Sequence, residues 1–444
     1  MGIEICPVGG YGEVGRNMTA IRVDDEVVIL DMGIHVPNWI NLTEDEDIKD
    51  ISVEELRAAK AVPNDRIIKD WRKDVIAIIP SHAHLDHVAA IPFLAQQYDA
   101  PVIATPFTIE VLKAILTDEK ISLPNKLKKV NVNAKLKLSS KIEVEFINVT
   151  HSTPQSVLIA VHTKYGTIIY ANDFKFDMTP TLGQKVNFER LKAIGKKKVL
   201  ALISECLYAN DPIKMPSEAV ARDMLKEVLL GIDNKRNAII VTTFSSHIAR
   251  LKSIIEIGRK MNRKVVLLGR SLAKYVYAAE NVGLVNFSKD AEIVKYSSKI
   301  KRRLSKIRDK DRNKYLLIMT GHQGEPRATL SKLIFREIKY TLRKGDHVIF
   351  ASKTIPTADN LKAKEVICNK LRSQGVRIFE NIHVSGHAGK EDLRELIQLV
   401  KPQYIIPSHG EMRMEQGMML LAAELGYDKK KVMMVRNGQR FSLV

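Results

Sequence analysis

The sequence predicts an α/β protein, and three observations carry that expectation. Apolar runs of strand length alternate with segments of helical spacing along most of the 444 residues. Histidines and carboxylates gather directly behind several of those apolar runs. A stretch marked by Pro180, Gly183, Gly195 and Lys196-Lys197-Lys198 divides the chain, and strands and helices alternate after it, as in parallel sheets with right-handed crossovers.

Residues 3–8 read as the first strand. The glycine-bearing segment 9–17 follows; it lacks the usual phosphate-binding spacings and is expected to be a loop near the site. Residues 18–23 and 26–32 form a hairpin around Asp24-Asp25, delivering Asp31 at a strand end. A carboxylate there can orient a metal-bound histidine from behind. Residues 41–72, acidic at first and then helical over 53–61, look like a surface insertion.

The strand at 75–80 runs into Ser81-His82-Ala83-His84-Leu85-Asp86-His87, ahead of a segment of helical spacing at 88–98. Three imidazoles and a carboxylate within six residues, behind an apolar strand, are the donor types that hold zinc and similar divalent ions. On a turn, His82 and His84 face one position, while Asp86 and His87 reach a second. Two ions about 3.5–4 Å apart can activate one water and polarise a phosphate or carbonyl.

After a strand at 101–105 and a helix at 106–117, the strand at 141–149 ends at His151, and a hairpin over 157–171 ends at Asp173. Both repeat the placement of a polar donor behind an apolar strand, and an aspartate can bridge two ions. Further on, strand ends are expected at Glu205, at Ser245-Ser246 and at Gly321-His322-Gln323-Gly324, where sites in parallel sheets lie. In Ile382-His383-Val384-Ser385-Gly386-His387, the residues His383, Ser385 and the amides near Gly386 can hold a phosphate ahead of a helix beginning at Lys390. His409 ends a strand that starts at Tyr404 and supplies a last donor.

With 70 Lys plus Arg against 51 Asp plus Glu, the formal charge is +19. A protein this basic points to a polyanion, with nucleic acid first. The densest basic run, residues 299–308, suits either an RNA backbone or a solvated amphipathic helix. Three scattered cysteines, Cys6, Cys206 and Cys368, argue for buried thiols in a reducing cytoplasm. The first residues have no signal-peptide shape, and no apolar run is long enough to span a bilayer.

Together, Asp31, His82, His84, Asp86, His87, His151 and Asp173, with Glu205, His387 and His409, resemble the β-CASP branch of the metallo-β-lactamase superfamily. Within that branch, residues 9–18, 320–326 and 383–387 are similar to ribonuclease J, in the shorter form found in archaea, without the further C-terminal domain of bacterial members. No RNA-binding KH segment stands ahead of Met1, unlike the archaeal polyadenylation-factor-like nucleases.

The resemblance implies an αββα sandwich with an inserted parallel α/β domain: residues 1–185 and 375–444 in the sandwich, 186–374 in the insert. It implies one zinc on His82, His84 and His151, and another on Asp86, His87 and His409, with Asp173 bridging and manganese as the alternative metal. Asp31 would support the ligands, Glu205 and His387 would act together with His387 protonating the leaving oxygen, and Ser246, His383, Ser385 and Gly386 would grip a phosphate. The implied activity is processive 5′-to-3′ degradation of single-stranded RNA, preferring 5′-monophosphate ends, by a cytoplasmic homodimer. An endonuclease of the same branch is the alternative.

Overall fold

The computed structural model describes residues 1–43, 51–355 and 357–444. The acidic run at 44–50 of the expected insertion lies outside them. The first 42 described residues give β1 (Ile3–Gly9), β2 (Met18–Val23) and β3 (Glu26–Leu30). Then come β4 (Val75–Ile79), β5 (Val102–Ala104), β6 (Leu127–Lys129), β7 (Lys135–Lys137), β8 (Glu143–Asn148), β9 (Val157–Thr163), β10 (Gly166–Ala171) and β11 (Val199–Glu205). A second group follows: β12 (Ile239–Thr242), β13 (Lys264–Leu268), β14 (Ala291–Val294), β15 (Tyr315–Met319), β16 (His347–Phe350) and β17 (Arg377–Phe379). β18 (Tyr404–Ser408) and β19 (Phe441–Ser442) close the chain.

The chain divides into two compact units. The first comprises Met1–Met178, Gln184–Met215 and Gly386–Val444. It holds two sheets, ordered β19-β1-β2-β3-β4-β5-β6 and β18-β11-β10-β9-β8-β7. Their inner faces share one core, in which Ile5, Ile21, Leu30 and Ile79 from the first sheet pack with Phe146, Ile159, Tyr170 and Ile203 from the second. Helices Phe188–Gly195, Lys390–Val400 and Met412–Glu424 cover the outer face of the second sheet, burying Leu191, Leu396 and Met418. Helix Pro106–Glu119 packs on β5 and β6. This is the expected αββα sandwich, since strands buried on both faces read as nearly continuous apolar runs.

β3 to β6 run parallel, as do β10, β11 and β18. Their carboxyl ends deliver the loops bearing residues 31, 81–87, 173, 205 and 409. The expected helix at 88–98 is instead two short turns, Leu85–Val88 and Ile91–Leu94, with a 3-10 turn at Ala95–Gln97. Pro92, which has no amide hydrogen, opens the second turn and cannot continue the first.

The second unit comprises Thr179–Gly183 and Pro216–Ser385. Its sheet is wholly parallel, in the order β14-β13-β15-β12-β16-β17. These limits differ from the expected 185/186 and 374/375. β11 lies between β10 and β18 and so belongs with the sandwich, while 375–385, including β17, pair with the insert. The composition change near 180–198 covers the short passage Thr179–Gly183 through the second unit and helix Phe188–Gly195, while the chain enters that unit for good only at Pro216.

Within the second unit, Arg250 is fully buried, and its guanidinium binds Glu218 through two hydrogen bonds. Arg250 also donates to the carbonyls of Ala351, Ile382 and Val384, which ties segment 382–384 to helix Ile248–Lys260. Removing one member of a buried ion pair typically costs about 3–5 kcal/mol. Arg250→Met is therefore expected to lower the unfolding free energy by about that much, measured by urea denaturation. A loss below about 1 kcal/mol, the range of exposed pairs, would show that the pair does not anchor the segment.

Candidate metal centre

The first unit gathers ten side chains at the carboxyl ends of its strands. The loop after β4 is held against the turn after β3 by backbone bonds: Met32 N–H to His87 O (2.8 Å), Ile34 N–H to Leu85 O (3.1 Å) and Asn17 N–H to Asp86 O (3.0 Å). A Cβ on Gly33 would meet Asp86 O at 1.7 Å, so the two segments can approach only because residue 33 is glycine. Asp31, Asp173 and His409 all take left-handed backbone angles, with φ of 57°, 57° and 48°. Three strained non-glycine residues at the ends of β3, β10 and β18 are the kind of outlier that collects at functional sites.

Two donor groups share Asp173. His82, His84, His151 and Asp173 present one ligand atom each within 4.8 Å of one another, and so do Asp86, His87, Asp173 and His409. In the first group, His84 Nδ1 stands 3.1 Å from His82 Nε2 and 3.0 Å from His151 Nε2. Asp173 Oδ2 lies 3.5 Å from His82 Nε2 and 3.6 Å from His151 Nε2. In the second, His87 Nε2 is 3.3 Å from Asp173 Oδ2 and 3.5 Å from Asp86 Oδ2, while His409 Nε2 is 3.6 Å from Asp173 Oδ1. Among the described residues, nothing donates a hydrogen bond to the buried Asp173 Oδ1. A buried anionic oxygen without a donor, ringed by imidazole nitrogens, fits divalent cations.

The far nitrogen of most of these rings is tied down. His87 Nδ1 donates to Asp31 Oδ2 at 2.7 Å. Asp31 is itself held by Ser81 N–H (2.6 Å), Ser81 Oγ (3.1 Å) and Tyr170 OH (2.8 Å). His82 Nδ1 donates to Ser81 Oγ at 3.0 Å, and His151 Nδ1 to the carbonyl of Gly386 at 2.7 Å. A Cβ on Gly386 would come within 2.9 Å of His151 Nδ1, so this contact also requires glycine. His409 Nδ1 lies against the Asn17 amide, 2.8 Å from Nδ2 and 3.0 Å from Oδ1, with Gly15 N–H at 3.4 Å, while Asn17 Nδ2 donates to Asp86 O at 3.1 Å. These bonds orient the rings so that Nε2 of His82, His87, His151 and His409 faces Asp173.

Electrostatics agree. Burial, with His82 beside it, holds His84 well below the ordinary histidine range, and burial with His84 does the same to His151. Both are therefore neutral, the form that ligates metal. Burial pushes the Asp173 carboxyl up, but the charges of His87, His409 and His387 outweigh it and hold the group well below the usual carboxylate range.

Beside this centre, Glu205 is fully buried and accepts Phe174 N–H at 2.8 Å and Ala388 N–H at 3.3 Å on Oε1. Its Oε2 accepts His387 Nδ1 at 2.8 Å. Burial presses the His387 pKa down; Glu205 and then Asp173 overcome this and lift it to about 9. The result is an imidazolium whose Nδ1 lies 3.9 Å from Asp173 Oδ2.

Asp31, His82, His84, Asp86, His87, His151, Asp173, Glu205, His387 and His409 thus assemble in one unit. Gly386 joins them through its carbonyl. Ser246, His383 and Ser385 lie in the second unit, where Ser246 precedes His247, the cap of helix Ile248–Lys260, and His383 sits in the segment tied down by Arg250. The sequence did not single out Asn17, Ser81, Tyr170 or Asn172, the last of which donates to Tyr170 OH at 2.8 Å and accepts Ser408 Oγ at 2.6 Å. Asn17 stood in the glycine-bearing loop and Ser81 in the histidine motif, so both carried a positional signal; Tyr170 read as an ordinary strand residue and Asn172 as the end of its hairpin.

Residues 11–200 match the metallo-β-lactamase superfamily, 236–371 the ribonuclease J β-CASP domain, and 376–433 a Zn-dependent metallo-hydrolase RNA specificity domain. The chain is 45% identical to Ribonuclease J of Methanocaldococcus jannaschii, covering 100% of this chain and 99% of that one. It is 41% identical to Ribonuclease J of Pyrococcus abyssi (98% and 96% covered), and 31% identical to Ribonuclease J 1 of Streptococcus pyogenes (99% and 74% covered). Among solved structures, it matches the crystal structure of a protein of unknown function from Enterococcus faecalis V583, with a TM-score of 0.67, 19% identity and complete coverage of both chains. That likeness speaks to the fold.

Loss of a partner behind a metal-bound histidine typically weakens metal binding 10–100-fold. Asn17→Ala is expected to weaken zinc binding about that much, read by competition with a chromophoric chelator. Unchanged affinity would mean that Asn17 does not orient His409.

Proposed function

This chain belongs to the ribonuclease J family, and on that premise we propose that it degrades single-stranded RNA processively from the 5′ end, preferring 5′-monophosphate ends. The observation that carries the proposal is the pair of donor groups meeting at Asp173, with the Glu205–His387 pair beside them. In this reading His82, His84 and His151 would hold one ion and Asp86, His87 and His409 the other, with Asp173 shared between the two groups. The donor set, all nitrogen and oxygen, suits zinc, with manganese as the alternative. Bound there, the ions supply Lewis-acid charge to the scissile phosphate and lower the pKa of water toward 7.

The chain's own residues do the rest. Asp31, Ser81, Asn17 and the Gly386 carbonyl orient the imidazoles. Glu205 is a positioning residue: it keeps a proton on His387 Nδ1 and leaves Nε2 directed away from the carboxylate. Held protonated near neutral pH, His387 donates that Nε2 proton to the leaving oxygen as general acid. Ser246, His383, Ser385 and Gly386 are assigned to phosphate binding in the same reading, which favours the exonuclease over an endonuclease. The charge of +19 suits a phosphodiester chain. The three cysteines are buried and unpaired, which suits the reducing cytoplasm this reading assigns, and among the described residues no helix is long and apolar enough to cross a membrane. A homodimer belongs to the same proposal.

One RNA, labelled separately at each end and carrying a 5′-monophosphate or 5′-triphosphate, tests it. The 5′ label is expected to appear at once as a mononucleotide, more slowly from the triphosphate, with activity lost in His84→Ala and reduced at least a hundredfold in His387→Ala. Internal fragments as first products would replace the exonuclease with the endonuclease. Equal rates on both ends would remove the phosphate pocket, and full activity in His84→Ala would remove the metal assignment.

A further inference from the structure

The second unit carries a basic groove of its own. Edge strand β14 ends at Val294; Lys295 and Tyr296 follow and lead into helix Ser297–Ser305. That helix buries Ile300 and Leu304 in the core of the unit, and this orientation turns its cations to the other side. Lys295, Lys299, Arg302 and Lys306 line a groove of about 620 Å³ with Tyr277 and Tyr296. Glu292 and Arg303 also line it, but they bind each other at 2.8 Å, so the carboxylate is spent on a cation within the groove.

Two features separate this groove from a merely solvated charged face. The tyrosine rings stay open, Tyr296 49% and Tyr277 41% exposed. The ammonium groups of Lys295 and Lys299 flank the Tyr296 ring at 5.5 and 5.6 Å from its centroid. Cations that track a phosphate backbone, set around aromatic faces on which bases stack, are the means by which proteins hold single-stranded nucleic acid without reading its sequence. The groove also lies at the carboxyl end of a parallel strand, where such sheets place ligands.

We propose that this groove is a second binding site for single-stranded RNA, separate in its residues from the metal centre, with Tyr296 as the stacking platform and Lys299 and Arg302 as phosphate contacts. The proposal rests on the reading that the chain acts on RNA. It requires unpaired bases, because bases stacked within a duplex leave no face for Tyr296.

The test is anisotropy titration of a 3′-labelled single-stranded RNA of about 20 nucleotides with the full chain, in a His84→Ala background so that the RNA survives. Lys299→Gln/Arg302→Gln is expected to weaken binding at least tenfold near 0.1 M salt. It should also flatten the slope of log K against log salt by about 1.4, or 0.7 for each lost phosphate contact. Tyr296→Ala should weaken binding about tenfold and Tyr296→Phe hardly at all. Lys429→Gln/Lys430→Gln, in an exposed turn of the first unit, controls for net charge. In the chain with Tyr296 intact, irradiation of 4-thiouridine RNA should cross-link Tyr296, so the proposal does not hang on the variants' folding.

The proposal is overturned by wild-type affinity and salt slope in the double variant, by a loss no larger than the control's, or by duplex RNA or an acidic protein binding with the same dependence on Tyr296. If the chain neither binds nor cleaves any RNA, the functional reading falls as well. If it cleaves RNA normally while the groove variants match the control, only the groove falls.

Discussion

Asp173 is a carboxylate placed where a carboxylate is expensive. It is almost wholly buried, its backbone is left-handed, and among the described residues nothing donates to its Oδ1. Isolated, such a charge would take up a proton. Here five imidazoles surround it, and His87, His409 and His387 keep it ionised. The two donor groups meet only through this residue, so the spacing of everything around it follows from where β10 ends.

The sandwich exists, in this light, to bring strand ends together. Parallel neighbours β3 and β4 place Asp31 beside the 81–87 loop, and parallel β10, β11 and β18 place Asp173, Glu205 and His409 side by side. Positions far apart in sequence become adjacent through the sheet's register: Glu205 pairs with Ser408, the residue before His409. Behind the ligands, a continuous hydrogen-bonded set from Tyr170 through Asp31 and Ser81 to His82 and His87 fixes ring orientation. Such a network must be satisfied throughout to rigidify a site, and this one is buried and paired.

Much of this was legible in the sequence. The histidine motif, His151, Asp173, Glu205 and His409 each follow an apolar run, and an apolar run buried between layers is a strong local signal. The hairpins at β2–β3 and β9–β10 formed as expected, the first around Asp24-Asp25. What local pattern could not give was tertiary. Asn17 acts on His409 nearly four hundred residues away, a contact created by strand order rather than spacing. The membership of β11 in the sandwich depends on pairing with β18, which no composition change marks. The helix expected over 88–98 failed at Pro92, a local signal outweighed by the periodicity around it. The basic run at 299–308 was open between two readings, and the structure adds to it a groove and two open tyrosines that the run itself does not contain.

The central claim is that one carboxylate joins two metal positions. Native mass spectrometry of the zinc-loaded chain, beside Asp173→Asn, tests it most directly. The account predicts two zinc ions per chain in the unaltered protein, and one or none in the variant under the same free zinc. Two ions bound with undiminished affinity in Asp173→Asn, or saturation of the unaltered chain at one, would contradict it.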